Sequence, residues 1–419
     1  MSEGILPQAG ADAGASRAEL ARHEMRTRLS IPAGAEGFSF ALYQSLGVGL
    51  QPGHRAELLL NRHLFDALEA AIRGARESVH IQVYIWRPCE VSDRICDALI
   101  ERARAGVACR VVVDPIGSEQ ISGDRDFDQK IEHRLTDAGC EVHYYRPLKG
   151  KVAGRLMSRN HSKIAIIDGR IGFTGGFGIW RVWDGDGLSK EAWRDTNIRV
   201  EGPAVRSLQL AFARSWQESG GDLLPNDAFP DLPESGPVRA AFAASHGQLG
   251  ITDAERMCRL VMGAATRRLW IANAYFTPVK SILEVIASQR ERGVDVRLLA
   301  PGPVHDVPLI RASQRATYAE LLRNGVRIFE YQPSMMHAKT MLVDDWLSVI
   351  GSTNLDALSL NKLGEGSMLL ADPGLANELE RAWEQDMRHS REITLENGGR
   401  TNPLRRLARR ATQILGKDR

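Results

Sequence analysis

"HSKIAIID" at residues 161–168 and "HAKTMLVD" at residues 337–344 decide how this chain is read. Each sets a lysine two positions after a histidine and an aspartate five positions after the lysine. Side chains alternate faces along a strand, so His161 and Lys163 share one face, as do His337 and Lys339. Asp168 and Asp344 have the opposite parity. Asp168 is followed by Gly169 between two apolar runs, a hairpin pattern, and Asp344-Asp345 stands at the same place. The two aspartates therefore read as turn or scaffold residues, and the His-Lys pairs as the reactive groups. One such pair carries little information; two at the same point of a repeated unit carry much more.

The repeat extends outward from these motifs. "ALEAAIRGARESVHIQVYIW" (67–86) and "CRLVMGAATRRLWIANAYF" (258–276) both read as an amphipathic helix entering a strand that ends in aromatics, around Tyr84 and Tyr275. "ICDALIERARAGVACRVVVD" (95–114) matches "ILEVIASQRERGVDVRLLAP" (282–301), and "IEHRLTDAGCEVHYYRP" (131–147) matches "YAELLRNGVRIFEYQP" (318–333). Each is a helix, a glycine turn and an apolar strand, with Gly139 and Gly325 placed as helix C-caps. Alternating helices and strands predict two tandem homologous α/β sandwich domains. Two copies of one unit pack about a pseudo-two-fold axis, which brings both His-Lys elements to an active site at their interface. The expected division is an N-terminal extension, partly disordered, over 1–50 and a first domain over 51–222. A Pro-rich linker over 223–238, a second domain over 239–399 and a basic tail over 400–419 follow.

After each motif the chain returns into small residues, "GFTGGFG" (172–178) and "VIGSTN" (349–354). Gly175 and Gly176 offer backbone amides to an anion, and Ser352 and Asn354 add side-chain donors. The next strands, "DTNIRVEGP" (195–203) and "EGSMLLADP" (365–373), align with an acid eight positions before a proline. Asp195 and Glu365 are thus equivalent, each able to accept a hydrogen bond from an imidazole Nδ1 and to orient it.

Composition sets the frame. The chain has 419 residues, 43% hydrophobic and 25% charged, as in soluble globular proteins. A net charge of +2, from 54 basic and 52 acidic residues, gives no polycation for nucleic acid. Five cysteines without a CxxC pair read as free thiols in a reducing cytoplasm. No stretch reaches the roughly 18–20 apolar residues that span a bilayer. Residues 400–419 carry seven basic residues and one acid, with Leu404, Leu407, Ala408, Ala411 and Leu415 on one helical stripe. Such a helix is expected on an anionic membrane surface.

These residues resemble the phospholipase D superfamily, whose signature is HxK, four residues, D, six residues, then G-S/G-x-N. The second copy matches throughout at His337, Lys339, Asp344, Gly351, Ser352 and Asn354. The first has Gly178 where the family usually has Asn. "WRDTNIRVEGPAV", "NAYFTP", "NLDALSLNKLGEGS" and "WEQDMRHSREI" look like bacterial cardiolipin synthases within it, over roughly residues 50–395. The family's usual paired N-terminal transmembrane helices are not found in this sequence.

The resemblance implies a phosphatidyltransferase working through a phosphohistidine. His161 would be the nucleophile and His337 the acid/base, with Lys163, Lys339, Ser352 and Asn354 on the phosphoryl oxygens. An ordinary imidazole pKa near 6.5 suits both roles around neutral pH. No cofactor and no metal is expected. Phosphatidylglycerol is the expected substrate, at the inner face of the cell membrane and without nucleic acid. The alternatives are a hydrolase yielding phosphatidic acid, a nuclease of the superfamily, and a non-enzymatic membrane scaffold. Tyr84, Trp86, Tyr275 and Phe276 either line a lipid entrance or cap the core. The remaining histidines show no metal-ligand spacing.

Overall fold

In both halves a strand buried at nearly every position is covered on its two faces, and this layering organises the whole molecule. "SVHIQV" is buried at all six positions and forms a strand. The helix after it, Glu90–Arg104, buries Val91, Ile95, Cys96, Ala98 and Leu99 on one stripe. Its acids Glu90 and Asp93 lie in the first turn and Arg102 and Arg104 in the last, complementing the helix dipole. The computed structural model describes residues 34–120, 127–146, 159–246 and 251–397. The expected basic tail, 400–419, and most of the N-terminal extension lie outside the described residues.

The strands of the first half are β1 (Gln51–Leu60), β2 (Ser78–Val83), β3 (Ala108–Val113), β4 (Glu141–Tyr144), β5 (Ile164–Ile167), β6 (Ile171–Gly175) and β7 (Thr196–Glu201). The second half repeats them as β8 (Val238–Ser245), β9 (Arg268–Asn273), β10 (Asp295–Pro301), β11 (Arg327–Tyr331), β12 (Lys339–Val343), β13 (Leu347–Gly351) and β14 (Glu365–Ala371). A last strand, β15 (Ser390–Ile393), pairs antiparallel with β11. The sheet order is β15-β11-β10-β9-β12-β13-β14-β8-β1-β7-β6-β5-β2-β3-β4. Apart from β15 it is palindromic about β8-β1, the mark of a two-fold relation between the halves. β2, β3 and β4 run parallel, as do β9, β10 and β11, while the His-Lys hairpins β5-β6 and β12-β13 are antiparallel.

The seam between the halves is apolar. Ile164, Ile166, Ile198 and Val200 of the first half pack with Phe242, Ile350, Met368 and Leu370 of the second. Burying such side chains contributes about 1.5–3 kcal/mol each, so these eight supply about 12–24 kcal/mol before ordering entropy is subtracted. His54 ties the halves at the sheet centre, its Nδ1 3.2 Å from the Val238 carbonyl and its Nε2 accepting from the Ala204 amide at 2.8 Å.

One element was not foreseen. A helix, Gly34–Leu46, packs Phe38 and Leu42 onto the second half, with the Phe38 ring edge-on to Trp346 at 5.7 Å. Its apolar pattern spans barely two turns among glycines, too little to read from sequence. Between the helix Val205–Glu218 and β8 the only regular element is a short turn at Asn226–Ala228. No described helix is long and apolar enough to cross a membrane.

Candidate active site

Each histidine sits just before its hairpin and is pinned by the other half. The His161 amide donates to the Gly364 carbonyl at 2.7 Å, and the His337 amide to the Arg194 carbonyl at 2.7 Å. Short parallel bridges, Asn160 to Gly364 and Arg194 to Met336, support the contacts. The carbonyls belong to the residues immediately before Glu365 and Asp195. The backbone of each half therefore carries a carboxylate to the histidine of the other.

The side chains complete this crossing. His161 Nδ1 lies 3.0 and 3.3 Å from the two Glu365 oxygens, and His337 Nδ1 lies 2.9 Å from Asp195 Oδ2. Nδ1–H donates to carboxylate in both, which fixes the tautomer and leaves the Nε2 lone pair on the far edge of each ring. Asp195 and Glu365 are buried, as are both histidines and both lysines. Lys163 Nζ donates to the His161 carbonyl, and Lys339 Nζ to the His337 carbonyl at 2.5 Å. Lys339 Nζ also lies 2.9 and 3.0 Å from Nδ1 and Nε2 of His337. No described residue makes the corresponding contact to His161 Nε2.

Burial changes the proton affinities that composition alone suggested. Desolvation, followed by the neighbouring Lys163 charge, pushes His161 down to about 4 against the pull of Glu365. Desolvation, then Lys339, likewise pushes His337 down to about 4 against Asp195. The expectation of two imidazoles near 6.5 is therefore revised: both are depressed well below that value and neutral at pH 7. Burial also drives Lys163 well below its ordinary value and Lys339 down to about 8. Burial alone would raise the carboxylates, but His337 and Lys339 outweigh it at Asp195, and His161 and Lys163 at Glu365, holding both ionised. The site is poised for an anion, whose charge would raise histidines and lysines together.

The other sequence candidates separate by position. Asp168 and Asp344 turn their hairpins with φ of 51° and 50°. Asp168 accepts from the amides of Arg76, Glu77 and Ser78, and Asp344 from those of Thr266, Arg267 and Arg268. Both lie at the far end of the strand, ~23 Å of extended chain from the histidines. Ser352 is close to the centre, but its hydroxyl donates to Glu365 and accepts from the Gly366 amide at 3.0 Å. Asn354 is buried, and its amide oxygen accepts no hydrogen bond among the described residues. Gly175 adopts φ 154°, and a Cβ on Gly176 would lie 2.5 and 2.6 Å from the Asp195 oxygens. Trp86 and Phe276 are core residues, whereas the half-buried Tyr84 and Tyr275 rings stand 5.1 and 6.2 Å from His161 and His337. Among the described residues no group of three His, Cys, Asp or Glu side chains is disposed to hold a metal ion.

Sequence reading missed the aromatic wall on His337. Trp183 and Trp193 stand 5.2 and 5.1 Å from its ring. The only available signal was the tryptophan-rich stretch between β6 and β7.

Residues 68–216 and 259–387 match the family model described as "Cardiolipin synthase, PLD-like domain". The chain belongs to this family. It is 32% identical over 369 residues to cardiolipin synthase A of Pseudomonas putida, covering 86% of this chain and 74% of the relative. Cardiolipin synthase A of Pseudomonas fluorescens is 33% identical over 369 residues, with the same coverage. Among solved structures, phosphatidylserine synthase of Haemophilus influenzae superposes with a TM-score of 0.65 at 15% identity, over 90% of this chain and 97% of that one. Polyphosphate kinase of Porphyromonas gingivalis gives 0.55 at 12% identity, over 91% and 54%. At such identities the structural likeness is one of fold, and that fold is two phospholipase D-like domains. The protein is an enzyme of the phospholipase D superfamily.

Proposed function

We propose that the enzyme transfers a phosphatidyl group from one phosphatidylglycerol to another through a phosphohistidine on His161. His161 Nε2 attacks phosphorus and the P–O bond to glycerol breaks, with His337 protonating the departing oxygen. The terminal hydroxyl of a second phosphatidylglycerol then gives its proton to His337 and attacks phosphorus, breaking the P–N bond. The products are cardiolipin and glycerol. Lys163, Lys339 and the Asn354 amide offset charge on the phosphoryl oxygens, with the Gly175-Gly176 backbone beside them, and Ser352 steadies Glu365.

The observation that carries this reading is the crossed pairing, in which each Nδ1 is held by a carboxylate from the opposite half. Such pairing suits one neutral imidazole as nucleophile and a second, raised into its protonated form by the bound phosphate anion, as acid and then base at the same phosphorus. The Lys339 ammonium lies against both His337 ring nitrogens, and no described residue approaches Nε2 of His161 in that way, which favours His161 as the nucleophile. The family relationship to cardiolipin synthases supports the substrate. We further infer that the enzyme works from the cytoplasmic face and that residues 400–419 bind anionic lipid. Deleting them should reduce sedimentation with anionic vesicles, and unchanged sedimentation would retire that role.

The test is incubation of the purified protein with phosphatidylglycerol labelled in its headgroup, followed by lipid separation. Cardiolipin with free glycerol is the expected result. Phosphatidic acid would mean that water takes the intermediate, cleavage of added DNA would mean a nuclease, and no turnover would leave a scaffold.

A further inference from the structure

The two carboxylate–histidine pairs are built on one plan but finished differently. Glu365 receives the Ser352 hydroxyl in addition to His161. The position equivalent to Ser352 is Gly176, which has no hydroxyl to offer. In its place the Trp183 indole Nε1–H donates to Asp195 Oδ2 at 2.8 Å, the same oxygen that takes His337 Nδ1–H at 2.9 Å. The other oxygen takes the Thr196 amide at 2.8 Å. The Trp183 ring also stands edge-on to His337, at an interplanar angle of 82°.

Glycine makes this arrangement possible. A Cβ at position 178 would lie 2.8 and 3.0 Å from the far carbons of the Trp183 ring. A Cβ at 176 would overlap the Asp195 carboxylate. The departure from the superfamily signature at Gly178 is thus the space into which Trp183 fits. The indole is buried, and its own amide and that of Trp193 are bonded within the same loop.

We propose that Trp183 is a positioning residue that acts through Asp195 to orient His337 and set its proton affinity. The inference rests on the reading of His337 as the acid/base. An indole N–H is a donor at every working pH, so it holds the carboxylate without titrating. By occupying Oδ2 it reduces the negative charge offered to His337. Removing it would strengthen the pull on an imidazolium and raise the His337 proton affinity. The other charged or titratable groups acting on that ring are Lys339 from its own strand and Asp306 from the loop after β10. Tyr275, whose hydroxyl donates to Asp306, faces the ring from the loop after β9. None of these bonds to Trp183.

The experiment compares wild-type enzyme with Trp183→Phe and with benzothienylalanine placed at 183, which keeps the shape of tryptophan but lacks the N–H. The isosteric variant guards against a Phe variant that fails to fold. Expected are a fall in kcat of about tenfold with KM within about twofold, and an upward move of about one pH unit in the limb assigned to His337. The His337 titration followed by 15N-histidine NMR should move upward too, a readout independent of turnover. If the isosteric variant matches wild type in kcat, pH profile and titration, Trp183 is packing only and the proposal fails. If the titration moves in a protein that makes no cardiolipin, the positioning role stands and the lipid reading falls.

Discussion

Glu365→Gln tests the crossed pairing at its most exacting point. The carboxylate is buried, accepts His161 Nδ1–H at 3.0 Å and receives the Ser352 hydroxyl. Glutamine keeps the shape but removes the charge. A hydrogen bond to a charged group is worth about 1.5–3 kcal/mol, and the amide can also donate its N–H to Nδ1. That donation would move the imidazole proton to Nε2 and remove the lone pair needed for attack. Lys163 at the same time loses the neighbouring charge that most favours its protonation. Together these effects amount to about 2–4 kcal/mol, or about 30–1,000-fold in rate. The assay is rapid quench with labelled phosphatidylglycerol, which separates the glycerol burst from later turnover. The loss should fall on the burst, because Glu365 serves His161. A Gln variant that folds, binds lipid and gives a burst within threefold of wild type would refute the reasoning.

Other consequences follow from burial and scaffold geometry. Asp344→Ala removes the acceptor for three backbone amides and the Thr266 hydroxyl, costing about 2–4 kcal/mol and lowering the melting temperature by roughly 2–5 °C. Its kcat per folded molecule should stay near wild type, and lost activity with an unchanged melting temperature would make Asp344 a chemical partner instead. His161 and His337 are depressed in the fold from 6.5 to about 4, so the unfolded chain takes up protons first as pH falls. Their stabilisation is fully present above about pH 6.5 and is lost between there and about pH 4. Melting curves should decline across that window, less steeply in a His161→Gln/His337→Gln variant, and a flat profile would contradict the burial argument.

Much of this was legible because a strand has a period of two and a repeat has a fixed offset. His161, Lys163, His337 and Lys339 announced one strand face in each half, and Asp168-Gly169 announced the hairpin. Aligning the strands after the hairpins makes Asp195 and Glu365 equivalent from sequence alone. Which carboxylate serves which histidine was not legible. It depends on the Gly364 and Arg194 carbonyls reaching across the seam, a contact between residues about 140–200 positions apart that no local pattern encodes. The shared fall in histidine proton affinity was hidden for the same reason, because desolvation belongs to the assembled interface. Ser352 was readable as a hydroxyl near the site, but its turn toward Glu365 was not. Trp183 was invisible because its role depends on two glycines and a carboxylate that meet it only in three dimensions.

The central claim is that two imidazoles from opposite halves act in turn on a single phosphorus, with His161 taking the phosphatidyl group. Its most direct measurement is a millisecond quench of wild-type enzyme with phosphatidylglycerol labelled at phosphorus, followed by peptide mapping. The expected result is a base-stable, acid-labile label on the peptide carrying His161, absent in His161→Ala. Label on another residue, or full turnover by His161→Ala, would contradict it.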